Sequence, residues 1–213
     1  MTGLPTPRTL FLASISLLAA ISLTGCGSNS FSFGGGDTRN KMIVSVRDQK
    51  MLLVRDGTPV KAYKISTSKF GIGDRPGSNC TPLGRLQVAK KIGDGAPIGS
   101  VFKTRRQTGE VLRPNAPGRD PVVTRILWLT GTESRNQNTF RRTIYIHGTP
   151  EERRLGSPAS FGCIRMGSRD VADLYNRIGA GADVFVIRGS IQSNSSSADS
   201  SASVGKTGFR SRG

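Results

Sequence analysis

The chain contains one histidine, His147, and sixteen residues after it a cysteine, Cys163. They stand in Ile144-Tyr145-Ile146-His147-Gly148-Thr149 and in Ser160-Phe161-Gly162-Cys163-Ile164-Arg165-Met166. An imidazole closing an apolar, strand-like run and a thiol on a glycine-flanked turn are the parts of a nucleophile and its base. A free cysteine titrates at about 8.5, and a neighbouring imidazole raises the thiolate fraction and can shuttle the proton. The same two residue types are also common in protein cores, as a hydrogen-bonded histidine and a packed thiol. Around them, the Gly162 and Cys163 backbone N–H groups sit on one turn and suit a developing oxyanion. With no Asp or Glu beside His147 in the motif, its orientation would come from a backbone carbonyl near Gly148. Ser160 either contacts substrate or bonds within the loop, and Arg165 either holds a substrate carboxylate or pairs with Asp170. No His and Cys cluster has metal-ligand spacing, and a single histidine argues against zinc, so neither metal nor cofactor is expected.

These residues need a scaffold, and the pattern around them is mainly β. Met42–Val46, Lys50–Arg55 and Thr58–Ser66 are strand-like, with Asp56-Gly57 as a hairpin turn between the last two. Arg85–Lys91, Thr124–Leu129, Thr143–Ile146 and Asp183–Ile187 continue the series. One helix is expected just after the cysteine loop. Ser168 would cap it, Val171, Leu174, Tyr175 and Ile178 form one apolar stripe, and Gly179 and Gly181 stop it. Beginning five residues after Cys163, it would buttress the nucleophile loop. Residues 92–121 are rich in Gly, Pro and Arg without periodicity, and read as a loop over a substrate groove or a solvated insertion.

The motif string resembles the signature of the L,D-transpeptidases, the YkuD-type enzymes that cross-link peptidoglycan. Thr81-Pro82-Leu83-Gly84-Arg85-Leu86 and the opening hairpin, Ile43–Val46 to Ile65–Thr67, extend the resemblance over residues 41–188. One position departs from it: the family carries histidine between the serine and the glycine, and this chain carries Phe161. The resemblance implies a mixed β-sandwich or barrel with one helix after the catalytic loop. It implies that Cys163 attacks a peptidoglycan stem tetrapeptide with His147 as base, expels the terminal D-alanine and holds a thioester. An amine on a neighbouring stem would then take the acyl group, giving a 3→3 cross-link. Water in place of that amine gives an L,D-carboxypeptidase or cross-link hydrolase. A non-catalytic wall-binding descendant is the third reading, kept open by Phe161.

The N-terminal residues read as an export signal. Residues 9–23 form an apolar run behind Arg8, too short to span a membrane comfortably. The run ends in Leu23-Thr24-Gly25-Cys26, which resembles a bacterial lipobox and implies lipidation of Cys26. An ordinary secretory signal is the alternative. Gly27 follows where an aspartate would signal retention, so the expected site is the outer membrane, facing the periplasm. Residues 26–40 read as a flexible Gly/Ser tether, and the Ser-rich residues 189–213 as a disordered tail. Of three cysteines, Cys80 remains; a bridge to Cys163 would block the reactive thiol, so Cys80 is expected free. A net charge of +17 often means nucleic acid, but here the positives are scattered with little aromatic interleaving. Anionic lipid heads and stem-peptide carboxylates fit an exported, monomeric protein better.

Overall fold

The computed structural model describes residues 36–191. The leader over 1–25, Cys26, residues 27–35 of the tether and residues 192–213 of the tail lie outside them.

Ten strands lie among the described residues, most of them built on alternating apolar positions: β1 Asn40–Ser45, β2 Lys50–Arg55, β3 Thr58–Ser66, β4 Gly84–Ile92 and β5 Ser100–Lys103. They continue with β6 Arg106–Val111, β7 Val122–Gly131, β8 Tyr145–Gly148, β9 Ile164–Met166 and β10 Asp183–Ile187. The hairpin joining β2 to β3 turns on Asp56 and Gly57, both at positive φ (49° and 82°), as a two-residue primed turn requires. The single helix, α1, spans Ser168–Arg177.

The strands run β4-β10-β1-β2-β3-β9-β8-β7, and β7 pairs back onto β4 to close a barrel. The hairpin of β5 and β6 extends from the first residues of β7. Most neighbours are antiparallel, but β1 with β10 and β8 with β9 are parallel. The main core gathers Met42, Val44, Leu53, Ile65, Leu86, Leu129, Ile146, Ile164 and Val184 with the Val171, Leu174, Tyr175 and Ile178 stripe of α1. A second, smaller cluster holds Ala96, Phe102, Ile126 and Tyr145, with Trp128 and Cys163 packed on it.

Three local expectations need correction. Residues 92–121 are not one irregular loop, because β5 and β6 form a hairpin inside them. Ser168 is not the cap of α1: Gly167 holds that position, and the Ser168 N–H instead donates to Glu152 Oε1 at 2.8 Å, from a short 3-10 turn over Glu152–Arg154. The packed chain also reaches beyond both expected ends. Asp37, within the segment read as tether, accepts from the Gly179 N–H at 2.7 Å, and Asp48 accepts from the Ile191 N–H at 3.0 Å.

Candidate active site

Strand alternation decides which way the motif points. Along β8, Ile146 enters the main core while Tyr145 faces the smaller cluster, so His147 lies on the Tyr145 face. Strand β9 runs parallel beside it, with Ile146 opposite Ile164 and His147 opposite Arg165. Cys163, two residues before Arg165, therefore shares the face of His147. Both line one cavity of about 140 Å³ with Asp120, Val122, Ser160, Phe161 and Arg165.

The imidazole is buried and held by its backbone. His147 Nδ1 lies 2.8 Å from the Gly148 carbonyl oxygen, which as an acceptor places the proton on Nδ1 and leaves Nε2 with a bare lone pair. The orienting carbonyl expected near Gly148 is thus Gly148's own. Burial pushes the His147 pKa below its usual value, although the Gly148 carbonyl and Asp120 oppose the shift. A side chain is excluded at position 148, because its Cβ would sit 2.7 Å from the Val123 carbonyl oxygen.

The thiol is half-buried, accepts from the Tyr145 N–H at 3.4 Å and donates toward the Thr143 carbonyl at 3.6 Å. Burial pushes its pKa up to about 11, against smaller lowering effects of the Tyr145 N–H, Arg142 and Arg165. Burial thus works against the charged form of both groups, and the apolar side chains of Phe102, Ile126 and Tyr145 gather on the side where Cys163 packs.

The turn carrying the nucleophile is locked from three sides. Gly162 adopts φ 118°, and a Cβ there would meet Ile144 Cδ1 at 3.1 Å and the Cys80 carbonyl oxygen at 3.3 Å. Ser160 is buried, its hydroxyl donating to the Cys163 carbonyl at 2.6 Å and accepting a long 3.3 Å bond from the Gly162 N–H. The Thr81 hydroxyl donates to the Gly162 carbonyl at 3.0 Å, which gives the Thr81-Pro82 segment its place in the site. Ser160 is therefore a clamp of the loop.

Arg165 does not pair with Asp170, whose carboxylate stands 3.9 Å from Lys61 Nζ. Its guanidinium is buried against Asp120 and, at 3.3 Å, Glu151, and Asp120 also accepts from the Thr149 hydroxyl. Arg165 Nε and Nη2 have no hydrogen-bond partner, and both are shielded from solvent. Neither acid was singled out from the sequence. Asp120 is the last residue but one of the unpatterned 92–121 segment, 45 positions from Arg165, and no local spacing ties them.

Arg142 was also missed. It donates to the Gly73 carbonyl at 3.0 Å and the Cys80 carbonyl at 2.7 Å, and it forms a buried ion pair with Asp74 at 3.0 Å. Cys80 and Cys163 are both free, as expected for Cys80. Among the described residues, no three His, Cys, Asp or Glu side chains gather to hold a metal ion.

The thiol of Cys163, one residue before β9, and the imidazole of His147 on the parallel β8 thus share one cavity, with backbone N–H groups on the adjoining turn. The family model of the YkuD L,D-transpeptidase catalytic domain matches residues 39–187, and the chain belongs to that family. Similar solved structures include an L,D-transpeptidase from Mycobacterium smegmatis (14% identity, TM-score 0.45, covering 70% of this chain and 58% of that one). Others are L,D-transpeptidase 3 from Mycobacterium tuberculosis (18%, 0.47, 70% and 61%) and an enzyme from Xylanimonas cellulosilytica (18%, 0.46, 72% and 63%). The chain spans about three fifths of the length of these solved relatives. No curated protein matches it.

Proposed function

We propose that the protein is a peptidoglycan L,D-transpeptidase that forms 3→3 cross-links through a thioester on Cys163. The observation that carries this reading is the bare Nε2 of His147, fixed by the Gly148 carbonyl, in the same cavity as the Cys163 thiol. The thiol gives its proton to His147 as sulfur attacks the carbonyl of the third stem residue. The C–N bond to the terminal D-alanine then breaks, and the imidazolium returns the proton to the departing amine. An amine of a second stem attacks the thioester, its proton passes through His147, and Cys163 regains its own. The Gly162 and Cys163 N–H groups would receive the oxyanion. Gly162 must exchange its long bond to Ser160 for a charged acceptor, a favourable trade because hydrogen bonds to ionised groups are about twice as strong as neutral ones. One such donor is typically worth about 2.7–4 kcal/mol of barrier.

Incubation with purified disaccharide-tetrapeptides and mass analysis tests the reading. A dimer lighter by one alanine is expected, and its loss in Cys163→Ala. Tripeptide without dimer would reassign the domain as a hydrolase using the same thioester. No turnover, together with no adduct on Cys163 from a carbapenem-type β-lactam, would leave a wall-binding protein.

The reading includes lipid attachment through Cys26 at the periplasmic face of the outer membrane, supported by the lipobox-like Leu23-Thr24-Gly25-Cys26 and the Gly27 that follows it. Cys26→Ser should move the protein to the soluble fraction, and membrane attachment that survived this change would contradict it.

A further inference from the structure

We propose that Phe161, Phe70 and Lys69 form a lip outside the Cys163 cavity that selects stems whose third-position diamino acid ends its side chain in a free carboxylate. The inference rests on the peptidoglycan reading above and deepens it by naming which stem chemistry is accepted.

Phe161 lines the cavity with Cys163, yet its own side is turned outward, and the residue is 62% exposed. Phe70, from a different loop, is 49% exposed and meets it with ring centroids 5.4 Å apart, inclined by 54°. The two loops are joined rather than merely adjacent. Ser68 and Ser160 form an isolated parallel bridge, and the Lys69 N–H donates to the Ser160 carbonyl at 3.1 Å. The rings therefore hold a fixed relation to the nucleophile turn.

Lys69 completes the feature. Its Nζ lies 4.3 Å from the Phe161 centroid and 5.2 Å from that of Phe70. Among the described residues, no carboxylate stands within ion-pair distance of it. The result is a pair of exposed apolar faces with an unpaired cation held over them, beside the reacting thiol. Large apolar side chains gathered on a surface commonly mark a contact with something else.

The geometry selects among occupants. A sugar ring stacks on a flat platform, whereas two rings inclined by 54° make a trough for something narrow. A neutral sugar would also leave the ammonium unmatched. A run of methylenes ending in a carboxylate satisfies both parts, with CH₂ groups along the rings and the anion on Lys69. The side chain of a carboxylated diamino acid has that form, with its second amine on the carbon that bears the carboxylate and free to point away from Lys69. The terminal D-alanine offers one methyl group and makes little use of two rings.

The test measures equilibrium binding of synthetic tetrapeptides to the full chain carrying Cys163→Ala, which removes turnover. Three peptides are compared: unmodified, amidated on the diamino acid side chain, and amidated at the terminal alanine. Side-chain amidation should weaken binding by about fivefold, the scale of one exposed charge pair, and terminal amidation should change it far less. Lys69→Gln should erase the difference and Lys69→Arg should keep it. Phe161→Ala and Phe70→Ala should weaken both side-chain forms to a similar degree. All three residues are exposed, so the variants should keep the parent's unfolding midpoint. A preference that survives Lys69→Gln, discrimination that follows the terminal alanine, or no binding of any stem would overturn the proposal. Discrimination by the lip with no turnover by the parent protein would instead overturn the transpeptidase reading and leave the lip standing.

Discussion

At the residue scale, the thiol and the imidazole share one constraint: burial works against the charged form of each. For the thiol this has a direct readout. Alkylation by iodoacetamide requires thiolate, so the rate at Cys163 should climb steadily from neutral pH toward about pH 11, where burial places its pKa. A plateau below pH 8 would mean a preformed thiolate–imidazolium pair. For the base the sign is opposite. Burial lowers the His147 pKa, so the acid limb of kcat/KM should fall below the 6.5 of a free imidazole, and neutral His147 should persist into mildly acidic buffer. His147→Ala should cost about 10²–10⁴-fold in kcat/KM on stem peptides, the usual worth of acid–base help, with Phe161 unable to substitute because it carries no titrating group.

At the scale of elements, the site depends on loops cross-tied by buried polar groups. Asp74 accepts from the Asn138 N–H at 2.6 Å and pairs with Arg142, which in turn grips the Gly73 and Cys80 carbonyls. Arg142→Ala should destabilise the domain by about 3–5 kcal/mol, because it strands a buried carboxylate. Urea unfolding would show this, and a loss under 1 kcal/mol would mean water fills the gap. Arg142→Lys should recover only part, since a single ammonium nitrogen cannot occupy both Nη positions from which Arg142 reaches Gly73, Asp74 and Cys80. This network shows where the sequence was legible. The long strands, the helix stripe and the His147 and Cys163 pair announce themselves through period and residue type. Strand β6 does not: Arg106–Val111 is exposed along its whole length, so it has no apolar alternation to read. Strand β9 is three residues long and buried throughout. Asp120, Glu151, Asp74 and Arg142 act across the fold, and ionic partners separated by tens of residues leave no local pattern. The expected Ser168 cap failed for the same reason, its N–H being taken by the distant Glu152.

At the scale of the whole molecule, residues before β1 belong to the domain. The Asp37 N–H donates to the Ala180 carbonyl at 2.8 Å, and its carboxylate receives the Gly179 N–H, closing the chain as it leaves α1. A chain begun at Lys41 also loses the Asp56 N–H bond to the Arg39 carbonyl and the Asn40 side-chain bonds to the Arg177 carbonyl and Arg55, so it should be less stable than one begun at Gly36 by about 5 kcal/mol at roughly 1 kcal/mol per lost hydrogen bond. Equal urea midpoints for the two would contradict this. The barrel's closure has a wider consequence for how the protein is made. Strand β10 lies between β1 and β4, with Asp183 beside Lys41 in parallel register. The first strand to emerge from the ribosome must wait for the last before its open side is covered. Until then β1 and β4 both present unpaired backbone, a template for pairing between nascent chains. Synthesis halted before Asp183 should yield aggregates even though His147 and Cys163 are both present. In refolding from urea, amide protection of Met42 and Val44 should arrive with the final phase, together with that of Val184 and Val186. The two ends of the domain thus act as its timer: Lys41 and Asp183, 142 positions apart, must find each other before the barrel closes.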